Sequence, residues 1–168
     1  MTETEVSKNM KRAGFFKRLA AIVYDGLVAV AVGMCAALII IILLLVLYQN
    51  GVIQGPADMQ FNAFMQQSLL YKSIVQCWVG IWVIAFFLWF WKHGGQTLGM
   101  RAWRLRLFAM DDKPVGYGRL IIRLLTSLGG LGTILVLLDF KNKLALQDRL
   151  SNIEVIQLSK TQNDHKSW

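Results

Sequence analysis

Four charged side chains set among apolar residues are where this sequence could do chemistry: Arg18, Asp25, Arg123 and Asp148. Asp25 is the most telling, because residues 26–47 follow it without one charged side chain. At about 1.5 Å per residue those 22 residues reach roughly 33 Å as a helix, enough to cross a bilayer. An acid at the edge of the hydrocarbon costs about 2.5 kcal/mol or more unless it is paired, solvated or protonated. Two chemistries follow. In one, Asp25 is a site for a proton or a monovalent cation, its affinity raised by burial and lowered by a neighbouring arginine. In the other, the same charges form a clamp that fixes the packing of segments. Arg18 and Asp25 lie two helical turns apart on one face, about 10 Å in rise, and both side chains lean toward the N-terminus, so a direct pair is not expected. The expectation is a network: Asp25 meets a cation from elsewhere, Arg123 or Arg119 by predicted depth, while Arg18 meets Asp148.

Other constellations carry less. His93 and His165 are far apart in the chain, and Cys35 and Cys77 sit inside apolar runs where a thiol acts as a small hydrophobe, so no metal ligand set is expected. The stretch from Gly94 to Gly99 lacks the Gly-Lys-Ser/Thr of a phosphate loop. No nucleophile lies beside a base, and neither an enzyme nor a cofactor is expected. The net charge of +8 invites a nucleic-acid reading, but the chain is 55% hydrophobic and only 17% charged. Its basic residues flank apolar runs, as membrane topology requires. Arg101, Trp103 and Arg104 are accordingly assigned to anionic lipid headgroups rather than to nucleic acid.

These residues need elements to hold them. Arg18, Ala21, Asp25, Ala29, Gly33 and Ala36 recur at steps of three or four, a stripe of small and charged side chains that lets another helix approach closely. The apolar run continues to Tyr48, too long for a signal peptide, so the first span is placed at about 22–48. A second span covers about 73–91 and ends in an aromatic belt; Gln76 and Gly80 are expected to face the first helix. A short apolar element at about 121–138 has an uncharged core, residues 124–138, reaching only about 22 Å, and it is weakened by Gly129, Gly130 and Gly132. Of 18 basic residues, 17 fall on one side if that element re-enters, whereas five move across if it spans. The re-entrant form is favoured.

Thr97 is positioned to cap a short helix from Leu98 to about Trp103, and Arg104 to Phe108 alternates like a strand that can pair with Ile153 to Leu158. Residues 1–14 are read as a flexible cytoplasmic N-terminus, 15–158 as one membrane domain and 159–168 as a flexible tail. The fold class expected is an all-α membrane protein with two full transmembrane helices and a short third hydrophobic element. A small cytoplasmic cap of strands and interfacial helix completes it.

Arg18 and, seven residues on, Asp25 resemble the first two letters of the RDD family of bacterial membrane proteins. Gly95-Gln96-Thr97-Leu98-Gly99 is similar to the family's G-Q-T-x-G-[KR] region, with Met100 at the basic position and Arg101 one later. Asp148 resembles the later aspartate, with Gln147 where a histidine often stands, and Asn152-Ile153-Glu154-Val155 takes the place of a Gly-Thr-Val strand entry. The resemblance implies a multi-pass protein of the bacterial inner membrane, its N-terminus cytoplasmic, with cation/proton antiport the activity most often proposed. Transport would need an oligomer, since two spans and a hairpin enclose little room, and the Asp25 stripe is one candidate interface. The rival class is a membrane interaction or scaffold protein in which the network only packs.

Overall fold

A computed structural model of the chain describes residues 10–55, 59–111, 113–139 and 142–163. Residues 1–9 and 164–168, most of the terminal segments expected to be flexible, lie outside the described residues. The elements in order are α1 (Phe15–Gln49), α2 (Phe61–Gln67), α3 (Leu69–His93), α4 (Leu98–Ala102), β1 (Leu105–Ala109), α5 (Tyr117–Ser127), a 3-10 segment (Leu128–Ile134), α6 (Leu135–Leu138), α7 (Leu146–Ser151) and β2 (Ile153–Gln157). Helices α1 and α3 are long and apolar enough to cross a membrane, and α5 with the segment after it forms a third element bent by 76°. The bend falls where Gly129 and Gly130 take positive φ, conformations that a side chain would penalise. The chain is thus a mostly helical membrane protein with a two-stranded sheet, as expected. It divides into two compact units, residues 1–28 with 87–168 and residues 29–86.

Within the unit of residues 29–86, the small-residue stripe of α1 is used. Gly33 and Ala36 are buried. A Cβ on Gly33 would lie 3.3 Å from Val79 Cγ1, and the indole N–H of Trp78 donates to the Ala36 carbonyl at 3.1 Å. Large side chains of α3 fill the hollow left by small ones on α1, which corrects the expected contact through Gln76 and Gly80. Gln76 is exposed and nothing lies within 4 Å of a Cβ placed on Gly80. Small against small would have left a void. At the other end of this unit Tyr48 stacks on Phe61 and Phe64 and donates its hydroxyl to the Met59 carbonyl.

The other unit is built on the sheet. β1 and β2 pair antiparallel, Leu107 opposite Val155. Residues ahead of α1 extend that sheet: Arg12 bridges Ile156, and Ala13 N–H donates to the Val155 carbonyl. Residues 11–13 therefore lie alongside β2. Ala13, Ala21, Met100, Leu105, Leu107, Leu120, Ile153 and Val155 make the core. Helix α5 is inside out for a protein in water: Arg123 is buried, whereas Tyr117, Ile121, Ile122 and Leu125 are exposed. Such a face suits an apolar surrounding rather than water.

Candidate functional site

Asp148 is the centre of the first network. It sits in the first turn of α7, and its carboxylate reaches back to the N–H of Ala145 at 3.1 Å, satisfying a donor the helix leaves orphaned. The same oxygen, Oδ2, accepts from Arg18 Nη1 at 2.5 Å, and Oδ1 accepts from Arg123 Nη1 at 2.8 Å. Asp148 is wholly buried, with both arginines nearly so. The other two nitrogens of Arg18 are engaged as well, Nε on the Ala13 carbonyl and Nη2 on the Lys143 carbonyl. Arg123 Cζ stands 5.8 Å from the centre of the Trp91 ring, within cation–π range. One carboxylate thus ties together the start of α1, the bent third element and α7.

Burial pushes the Asp148 carboxyl up, but the charges of Arg123 and Arg18 and the Ala145 N–H outweigh it, and the group is held below its ordinary value. A carboxylate depressed in the folded state stabilises above its unfolded pKa of about 3.9, and that contribution is lost as pH falls through the folded value. Stability should therefore be level from pH 8 to about 5 and fall below about 4, read by tryptophan fluorescence unfolding in detergent. The Asp148→Asn variant should show a shallower acid limb; an unchanged limb would remove Asp148 as its source.

Asp25 is the centre of the second network. Thr97 donates its hydroxyl to Asp25 Oδ2 at 2.5 Å, and Gly99 donates its backbone N–H to Oδ1 at 2.8 Å. Thr97 meanwhile accepts the Met100 N–H at 3.3 Å as cap of α4. Asp25 is therefore a second cap for α4, supplied from another helix. The approach is close enough that a Cβ on Gly99 would fall 2.3 Å from the Ala21 carbonyl oxygen. This corrects the expected cation partner, since Arg123 is spent on Asp148 and Arg119 pairs with Asp111 at the rim. The expected Arg18–Asp148 pair is present.

Two further contacts lock the loops. Gln96 donates to the Leu105 carbonyl at 2.8 Å, fixing the turn ahead of β1. Gln147, beside Asp148, donates to Thr133 Oγ1 at 2.9 Å and lies over Gly132, where a Cβ would be 2.4 Å from its amide oxygen.

The model of the RDD family matches residues 12–152. The chain belongs to the RDD family. No curated protein and no solved structure matches it. In this RDD protein the matched region contains both networks. Thr97, expected as a cap, and Gly99, expected only as part of the family-like glycine motif, both prove to be partners of Asp25; the signal in the sequence is a glycine two residues after a capping threonine. Of the residues assigned to lipid, Trp103 and Arg104 are exposed and Arg101 is half-buried, its carbonyl accepting from Asn163.

Thr97→Val keeps the shape but leaves an Asp25 oxygen and the Met100 N–H without their donor and acceptor. A loss of about 2 kcal/mol is expected in the same unfolding measurement, with most of it restored by Thr97→Ser. A loss under about 0.5 kcal/mol would mean that the Thr97–Asp25 bond contributes nothing.

Proposed function

We propose that this RDD protein is a non-transporting, non-enzymatic membrane interaction protein whose two buried networks clamp a re-entrant element and the α4–β1 cap onto the start of the first span. The observation that carries this reading is that every oxygen of Asp148 and Asp25 is taken by a donor of the chain itself. A cation at Asp148 would have to displace two buried arginines, and the Asp25 carboxylate is bound and positioned by Thr97 and Gly99 as a helix cap. The same unit supports a topology. β1 and β2 pair, so residues 110–152 leave one sheet and return to it, which supports a third element that enters and exits on one side. The start of α1 adjoins that sheet through Arg12 and Ala13. With 17 of 18 basic residues outside the segment that runs from the first span to the second, the sheet side is the cytoplasmic side of an inner membrane.

One observation favours the rival reading of proton-coupled cation transport. Thr97 and Gly99 are neutral partners, so Asp25 can take up a proton without breaking an ion pair with either. Reconstitution decides between them. Purified protein in proteoliposomes with an imposed pH gradient should dissipate it no faster than empty vesicles when Na⁺ or K⁺ is added. Cation-dependent dissipation abolished by Asp25→Asn would replace the clamp with transport.

A further inference from the structure

Helix α4 docks on α1 by its inner side, where the Gly99 N–H meets Asp25 and Met100 joins the core, and this docking fixes its depth. Asp25 is the last charged residue before the uncharged run 26–47, so α4 lies where hydrocarbon gives way to headgroups. The outer side is mixed in character at that level: Leu98, Trp103 and Arg104 are exposed and Arg101 is half-buried. Arg104 is held with φ at 57°, where its N–H donates to the Arg101 carbonyl and its own carbonyl accepts from Leu158 as the chain enters β1. A left-handed φ is disfavoured for a residue with a Cβ, and glycine would make this turn more readily. The Arg104 side chain makes no hydrogen bond or ion pair among the described residues that would offset the strain. No acid is left to pair it. Of the described carboxylates in this unit, Asp111, Asp139, Asp148 and Glu154 already hold ion pairs, and Asp25 is taken by Thr97 and Gly99.

We propose that the outer side of α4 binds an anionic phospholipid of the adjoining leaflet, with Arg104 on the headgroup phosphate, the Trp103 ring at the boundary level and Leu98 against the acyl chains. A guanidinium is a forked donor set that matches phosphate oxygens, and an indole ring suits the level where apolar and polar regions meet. Acyl chains cover Leu98 and Trp103, which a soluble polyanion such as RNA would leave facing water. The positive charge that remains once the carboxylates are paired selects an anionic headgroup over a zwitterionic one. A residue that strains the backbone without a polar contact in the fold is accounted for when its partner lies outside the chain. The clamp does not depend on this site: a protein with both networks intact and no headgroup preference would overturn the lipid site and leave the clamp standing.

Quenching of Trp103 by labelled lipid provides the test. The full chain is placed in phosphatidylcholine liposomes containing increasing fractions of brominated phosphatidylglycerol or of brominated phosphatidylcholine. The emission of Trp103→Phe, subtracted from that of the parent, isolates the signal of this one ring. Half-quenching should need about fivefold less of the anionic lipid, the preference that one basic residue near an anionic surface supplies. Arg104→Gly should lose most of that preference while its unfolding midpoint in detergent stays level or rises, since glycine relieves the turn. Neither inorganic phosphate nor an RNA oligonucleotide at matched phosphate concentration should relieve the quenching. Equal quenching by the two lipids, a preference unmoved by Arg104→Gly, a lowered midpoint in that variant, or relief by RNA or free phosphate would each overturn the proposal.

Discussion

Asp148→Ala is expected to lower unfolding stability by about 3–5 kcal/mol, because it leaves two buried guanidinium groups facing one another without the charge between them. Arg18 and Arg123 both rest on that carboxylate, one on each oxygen, in a pocket from which water is excluded. Removal also frees the Ala145 N–H at the start of α7. Three elements lose their common attachment at once. Asp148→Asn restores an acceptor for Ala145 but not the charge, and should recover less than half of the loss. Either variant retaining stability within about 1 kcal/mol, measured by denaturant unfolding in micelles, would mean the buried charges are satisfied by something other than Asp148.

The second large effect comes from adding a single methyl group. Gly99→Ala would put a Cβ 2.3 Å from the Ala21 carbonyl oxygen and 2.8 Å from Asp25 Cγ. Backbone on one side and a hydrogen-bonded carboxylate on the other leave nothing flexible to yield. Helix α4 must move off α1, breaking the Gly99 N–H bond to Asp25 and opening the core around Ala21 and Met100. Overpacking together with the lost bond should cost about 3 kcal/mol. Gly80→Ala, which meets open space, is the matched control and should be within about 0.5 kcal/mol of the parent. Equal effects from the two glycines would show that α4 does not dock on Asp25.

Helical periodicity made the α1 stripe legible, and the stripe is where the chain packs: Arg18, Ala21, Asp25, Gly33 and Ala36 are all buried. The Arg18–Asp148 pair was legible because two opposite charges flank apolar segments and neither tolerates isolation. The partner of Asp25 was not, since a carboxylate in apolar surroundings points to a cation and the chain supplies a hydroxyl and a backbone amide. A backbone N–H has no letter of its own in a sequence; its trace is the capping threonine and the glycine that permits contact. Arg123 was recognised as a member but assigned to the wrong acid. Its placement depends on the fold bringing α5 against α7, and linear depth along the chain does not encode that. Gln76 and Gly80 were assigned to the inner face of α3 because small residues suggest close packing. Small residues on α1 instead receive large ones from α3, and the pattern on one helix alone does not say which face is which.

The clamp itself is tested most directly by a double-mutant cycle on Arg18 and Asp148. Arg18→Ala and Asp148→Ala should each destabilise, and the double variant should cost at least about 2 kcal/mol less than the sum of the two, as a buried contact shared by both requires. Losses that add to within about 0.5 kcal/mol would show that the two side chains do not act on one another, and the clamp would be contradicted.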